Sequence, residues 1–160
     1  DAAVKLVSDI FSTKFSRLFD YSTFGNKPQE FLRFLRKLLT IETFSFWKNH
    51  YDFISESKGE IKSAIGSNRI DEIIINTMLP FYYAYSLAHE LPDLTDMCRH
   101  IYVNSTLNIE TSLSEKMKAG LGLKLNMKQA VNYQGSVELY KKFCEPGKCS
   151  ECAVGVKVFA

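Results

Sequence analysis

A chain of 160 residues fits one domain of ordinary size, and its apolar fraction of 46% is typical of a globular protein with a buried core. The formal net charge is +2, so no global electrostatic field by itself requires nucleic acid or an anionic membrane as a partner. Both ends of the chain are mildly basic and the middle is acidic, which fits either a weak basic face or an ordinary solvated surface.

The chain carries no recognisable signal or transit peptide, and its first residue is Asp1 rather than Met. We therefore expect a piece of a longer protein, folded as a single helical domain over residues 1–160. Without a secretion signal, we expect a cytoplasmic location, with cysteines that are reduced thiols or metal ligands rather than disulfides.

Apolar residues at helical spacing predict an amphipathic helix over residues 4–19, followed by a loop over 20–27. Pro28 suits the first turn of a second helix. Five residues form the expected buried stripe of that helix: Phe31, Leu32, Leu35, Leu38 and Leu39. Arg33, Arg36 and Lys37 lie off this stripe, where they either contact phosphate or form a solvated face.

Residues 43–53, TFSFWKNHYDF, are dense in aromatic side chains. This density indicates either a surface on which nucleic-acid bases stack or an aromatic cluster that fills the core beside a helix end. We expect His50 to be a partly buried histidine rather than a ligand. The following residues, 55–68, are polar and are predicted to form mostly loop.

Nearly every residue from 70 to 88 is apolar or aromatic, which predicts a central helix buried on all sides. Four interruptions argue against a membrane span: Asn76, Thr77, Pro80 and Ser86. Pro80 is expected to kink this helix about one turn earlier. Asp71 and Glu72 diverge on a helix and fit the role of partners for the helix dipole.

Further helices are predicted from Pro92 to Val103, from Ser112 to Gly120, from Asn126 to Cys144 and over part of 149–158. Gly135 inside the third of these indicates close helix packing. No alternating strand pattern is present. The expected fold class is all-α, a compact orthogonal array of about six to eight helices around a kinked, buried central helix.

Three of the four cysteines form a C-x4-C-x2-C cluster of Cys144, Cys149 and Cys152. Thiolates at such spacing bind zinc or an iron–sulfur cluster, so these three residues are the predicted metal ligands. A fourth ligand is not evident from spacing. Two alternatives stay open: a disulfide such as Cys144–Cys149, and three reduced thiols that pack as small apolar groups.

Four stretches of the chain resemble the uncharacterised bacterial family filed as domain of unknown function 2851. They are FSRLF at 15–19, FWKNHYDF at 46–53, IDEIIINTMLPFYYAY at 70–85 and QGSVELYKKFCEPGKCSECAVG at 134–155. The resemblance covers essentially the whole chain, and the closing cysteine element is its most specific part. It implies that the chain is the C-terminal part of a longer bacterial protein, whose N-terminal part is similar to restriction-endonuclease-like nucleases.

From these observations we expect an accessory helical domain, metal-stabilised at its C-terminus, that helps the nuclease-like N-terminal domain of the same protein to engage nucleic acid. The alternative is a structural or protein-interaction module without metal and without a nucleic-acid role. The family brings no assigned activity, and the sequence contains no nucleophile–base pair, phosphate loop or paired acidic motif. We therefore expect no catalytic residue and no enzymatic activity in this fragment, and no membrane partner.

Overall fold

The computed structural model describes residues 16–107, 111–121 and 126–159. Seven α-helices lie in these ranges: α1 (Pro28–Leu39), α2 (Ser67–Ile73), α3 (Leu79–Ala88), α4 (Pro92–Asn104), α5 (Ser112–Leu121), α6 (Ala130–Leu139) and α7 (Ala153–Phe159). Three 3-10 helices and two π-helical turns add to them: Ser16–Phe24, Ser45–Lys48, Cys149–Glu151, Ile74–Met78 and Tyr140–Cys144. Because these ranges contain isolated β-bridges and no β-strand, the predicted all-α fold class is confirmed.

The polypeptide divides into two compact units, one that ends at Ile101 and one that begins at Tyr102, within α4. The single domain expected from the sequence stays a prediction. Most of the first predicted helix, 4–19, lies outside the described residues. The 3-10 helix Ser16–Phe24 occupies part of the region that was predicted to be a loop.

Helix α1 begins at Pro28 as predicted, because a proline in the first turn gives up no hydrogen bond. Phe31, Leu32 and Leu35 are buried, and the ring of Phe31 meets the ring of Tyr82 edge to face, with centroids 5.2 Å apart. This contact joins α1 to the central helix. Fully burying a side chain of this size stabilises the folded state by about 1.5–3 kcal/mol relative to leaving it exposed.

The central helix, residues 67–88, consists of α2, the first π-helical turn and α3 in direct succession. In the π turn, the Leu79 N–H donates to the carbonyl of Ile74, five residues earlier. Pro80 accounts for this turn, because in an α-helix its ring would clash with the carbonyl of residue 76 and the wider π turn relieves the clash. The π turn lies at the place where the sequence predicted a kink, about one turn before Pro80.

The π turn shifts the buried face of the central helix by one residue. Along that face the spacing is four residues, then five across the π turn, then three and four: Ile70, Ile74, Leu79, Tyr82 and Ser86. An unbroken α-helix would instead have turned Phe81 inward. Phe81 and Leu87 are exposed, so the prediction of burial on all sides is wrong: the helix is buried along one side.

Helix α4 packs against α3 through a buried polar contact. The Ser86 and Thr95 hydroxyl oxygens lie 2.7 Å apart. One hydroxyl donates to the other, and the accepting hydroxyl donates its own proton to a backbone carbonyl, that of Tyr83 for Ser86 or that of Leu91 for Thr95, so both buried hydroxyls are satisfied. Cys98 is buried on the same helix, as predicted, and burial raises the pKa of its thiol to about 12.

The second unit is built from α5, α6, the second π turn and α7. Thr111 caps α5, because its hydroxyl accepts from the Ser114 N–H while the Ser114 hydroxyl accepts from the Thr111 N–H. The residue before α6 is Gln129, not the predicted Asn126, which forms a turn by accepting from the Lys128 N–H. Gly135 in α6 has open space where a Cβ would be, so the predicted close packing there is wrong.

No helix in the part of the chain that the structure describes is long and apolar enough to cross a membrane.

Two leucines of α3 test the register of the central helix. Leu79 is 2% exposed and Leu87 is 56% exposed, and both lie on the same helix. We expect Leu79→Ala to lower the free energy of unfolding by about 2–5 kcal/mol, because it leaves a cavity in the core. The matched change Leu87→Ala should stay within about 0.5 kcal/mol of the parent, as measured by urea denaturation. Equal losses from both changes would contradict one-sided burial.

Candidate functional site

The described part of the chain offers two places with concentrated chemistry, one in each unit. The first, which we name the aromatic hairpin, comprises residues 41–64 between α1 and α2. Its two arms are joined by antiparallel bridges from Glu42 to Ser63 and from His50 to Glu56. Four backbone hydrogen bonds cross it, among them Ile61 N–H to the Lys48 carbonyl at 2.7 Å. These bonds give the segment, predicted as loop after residue 55, a defined hairpin shape.

Four rings pack together, three on the first arm of the aromatic hairpin and one, Phe53, at its tip. Phe46 and His50 stack with centroids 3.9 Å apart and an interplanar angle of 11°. Trp47 meets both Phe46 and Phe53 edge to face, at 5.2 Å in each case. His50 is half-buried, as predicted, and its Nδ1 lies 3.0 Å from the Phe46 carbonyl oxygen. The cluster therefore holds itself together through aromatic contacts and hydrogen bonds.

The tip of the aromatic hairpin is the most exposed apolar part of the described chain. Tyr51 is 76% exposed, Phe53 is 82% exposed and Ile54 is 92% exposed. Phe44 and Phe46 are also exposed, so the alternative in which this segment fills the core is wrong. The sequence left this exposure undecided between the two alternatives, although the surrounding Ser, Asp, Asn and Gly residues gave a signal for a solvent-facing turn.

Asp52 shapes the tip. Its carboxylate accepts from the backbone N–H groups of Ile54 and Ser55, at 2.8 and 2.6 Å. The bonds from Ser55 and Ile54 lower the pKa of Asp52 below its ordinary value. Because the folded-state pKa is depressed, the stability that this turn contributes is present above the ordinary pKa of Asp52. That stability is lost as the pH falls through the lowered value.

The cations predicted as phosphate contacts differ in their surroundings. Arg36 is engaged, since its Nε lies 2.7 Å from Oδ1 of Asp71 on α2. Arg33 and Lys37 are exposed and form no ion pair within the described residues.

Asp71 pairs with Arg36 and Glu72 pairs with Arg69, while the first turn of α2 holds no acid. The role of these two acids as first-turn dipole partners is therefore wrong.

The second place, which we name the cysteine hook, comprises residues 143–155. The helix that reaches Cys144 ends in a Schellman motif: Lys148 N–H donates to the Phe143 carbonyl at 2.8 Å, and Gly147 N–H donates to the Cys144 carbonyl at 3.2 Å. Gly147 has a φ of +71°, which favours glycine at this position. This turn reverses the chain between the first and second cysteines of the cluster.

The three predicted ligands lie in the cysteine hook as free thiols. Cys144 and Cys149 are exposed, Cys152 is buried, and none of the three is in a disulfide. Desolvation, followed by the neighbouring Cys152 and Cys149 sulfurs, raises the pKa of the Cys144 thiol. Among the described residues, no group of three or more His, Cys, Asp or Glu is arranged to hold a metal ion. The assignment of zinc or an iron–sulfur cluster to these cysteines stays a prediction from spacing.

A close backbone contact requires glycine at position 155. A Cβ at this position would lie 2.3 Å from the backbone carbonyl oxygen of Cys149, closer than any side chain tolerates. The first turn of α7 therefore rests directly on the 3-10 turn that begins at Cys149. Sequence reasoning had not assigned this role to Gly155, and its spacing after Cys152 gave no clue to a backbone contact.

A family model described as "protein of unknown function (DUF2851)" matches residues 11–111. The matched range is more than half of the chain and includes the aromatic hairpin. It ends before the cysteine hook, so the closing element that was expected to be the most specific part of the resemblance lies outside the match. Neither a curated protein nor a solved structure matches the chain.

Two glycines of the second unit test the contact within the cysteine hook. We expect Gly155→Ala to destabilise the protein by about 1–3 kcal/mol, because the added methyl group overpacks against the Cys149 carbonyl. Gly135→Ala, in α6 with open space around it, should instead stabilise by about 0.5–1 kcal/mol. Urea denaturation of both variants measures these changes. A Gly155→Ala protein as stable as Gly135→Ala would show that the contact does not exist.

Proposed function

The chain belongs to the DUF2851 family of proteins of unknown function, and we propose that it serves there as a non-catalytic docking domain. Its aromatic hairpin is the docking element, and the nuclease-like N-terminal region that the family resemblance implies is the occupant. The observation that carries the proposal is the exposure of Tyr51, Phe53 and Ile54 at the tip of an ordered hairpin.

Exposure of this kind supplies the driving force for association. Phe53 and Ile54 are adjacent to each other in the turn made by Asp52, and both stay almost fully in water. Burying a large apolar side chain contributes about 1.5–3 kcal/mol, so a partner that covers both side chains gains free energy from desolvation alone. Contiguous exposed apolar groups on a protein surface commonly mark an interaction site.

Preorganisation lowers the cost of docking. The arms of the aromatic hairpin are bridged, the Phe46–His50 stack and the Trp47–Phe53 contact support the tip, and the Asp52 turn fixes its backbone. A segment that is already ordered loses little conformational entropy when it binds. The hairpin therefore retains most of the gain from burying its apolar tip.

Charge favours a protein partner over a phosphate backbone. The aromatic hairpin carries three lysines and four carboxylates, and Lys48 is already 3.3 Å from Glu60. With one carboxylate more than it has lysines, the hairpin complements an apolar cleft bordered by Lys or Arg side chains. Phosphates would meet no surplus of cations on the hairpin itself.

Direct contact with nucleic acid is a second candidate function, favoured by a separate observation. Arg33 and Lys37 are exposed on α1, which leads into the aromatic hairpin, and neither is ion-paired within the described residues. A phosphate backbone held by these cations could place bases against the exposed rings of Phe53 and Tyr51. In this case the domain assists the nuclease-like region by holding a single strand.

A photo-crosslinking amino acid in place of Phe53 tests the docking proposal in the full-length protein that contains this chain. We expect an intramolecular cross-link from position 53 to the nuclease-like region, because the tip is buried against it. The same amino acid in place of Phe81, exposed on the central helix, is the matched control and should not form this cross-link. Absence of any cross-link from position 53 within the protein would contradict docking.

A titration with single-stranded oligonucleotide tests the second candidate. If Arg33 and Lys37 bind phosphate, affinity should fall steeply between low and moderate salt, and changing both residues to Gln should make that dependence shallower. Substituting Lys116 and Lys118 of α5 by Gln in parallel provides a charge-matched control. A flat titration at low salt would eliminate the nucleic-acid function.

A further inference from the structure

We propose that Cys144 and Cys149 form a redox-active pair, which closes to an intramolecular disulfide when a peroxide oxidises it. The proposal concerns the cysteine hook alone and is independent of the docking function. It rests on access, on the backbone turn between the two residues and on the way in which the second residue is held.

Access divides the four cysteines into two groups. Cys144 and Cys149 are exposed, and Cys98 and Cys152 are buried. A water-soluble oxidant therefore reaches the two members of the proposed pair first. All four thiols are free in the structure, so the pair is present in its reduced state.

The Schellman motif brings the two exposed cysteines into one turn. Its long-range hydrogen bond joins the backbones of Phe143 and Lys148, and Cys144 and Cys149 are the residues that directly follow them. The loop between the cysteines is only four residues long, and Pro146 restricts the conformations that its backbone adopts.

Two contacts with residues that follow Cys149 in the chain fix its backbone. Its carbonyl accepts from the Cys152 N–H at 3.3 Å, and Gly155 of α7 packs against the same carbonyl. The 3-10 turn therefore presents the Cys149 side chain from a fixed backbone. Closing the disulfide requires rotation of the two thiol side chains and a small adjustment of the turn between them.

The chemistry needs one molecule of hydrogen peroxide for each disulfide. The thiolate of one cysteine attacks a peroxide oxygen, the O–O bond breaks, and the released hydroxide takes up a proton to leave as water. The resulting sulfenic acid is attacked by the second thiolate, the S–O bond breaks, and a second water leaves as the S–S bond forms. The two sulfurs together lose two electrons, which the peroxide oxygens gain.

Thiol counting and peptide mapping test the pair in the chain as it exists. Before oxidation, we expect an aromatic disulfide reagent to titrate two rapidly reacting thiols, those of Cys144 and Cys149. After one equivalent of hydrogen peroxide the count of rapid thiols should fall to none, and proteolytic peptides should map a single Cys144–Cys149 bond. Dithiothreitol should restore both thiols.

Variants keep the result unambiguous. Cys98→Ser should oxidise as the parent does, because this buried cysteine on α4 takes no part. Cys144→Ser should leave Cys149 as a sulfenic acid that dimedone traps, because the remaining thiol of the cysteine hook, Cys152, is buried. A bond that includes Cys152, intermolecular disulfides in place of the internal one, or protein purified with one zinc held by all three thiols would each overturn the proposal.

Discussion

A proline that follows a widened helical turn is the constraint that organises each unit. In the first unit, Leu79 donates to the carbonyl five residues earlier and Pro80 follows directly. In the second, Glu145 makes the same kind of bond to Tyr140, and Pro146 is the next residue. In both cases the pyrrolidine ring would clash with a carbonyl of a regular α-helix, and an added residue in the turn removes the clash. Everything that follows along the chain is rotated by that added residue.

The consequences of this rotation differ between the units. In the central helix it turns Leu79 and Tyr82 into the core, so that Tyr82 meets Phe31 of α1, and it leaves Phe81 in water. In the second unit the widened turn runs into a Schellman motif, and Cys144 occupies its last turn. A widened turn before a proline therefore sets which side chains are buried in the first unit. In the second unit it sets where the Cys144 thiol lies.

The sequence predicted features that depend on local chemistry. The start of α1 at Pro28, the location of the altered turn before Pro80 and the helix near the end of the chain follow from proline geometry and apolar spacing. Burial along the central helix was mispredicted because an almost wholly apolar segment carries no periodicity that distinguishes its faces. The aromatic hairpin was undecided for a related reason: Phe53 is as apolar as Phe31, and only long-range packing separates a core ring from an exposed one. The role of Gly155 depends on a contact with the backbone of Cys149, which composition does not encode.

The aromatic hairpin suits docking because it is an ordered element whose apolar tip stays exposed. Residue-resolved amide hydrogen exchange measures this directly. We expect the amides of Ser57, Ile61 and Ala64, which donate across the hairpin, to exchange more slowly than the amide of Phe53 at the tip. Exchange of all four amides at the rate of an unstructured peptide would show that the hairpin is not ordered.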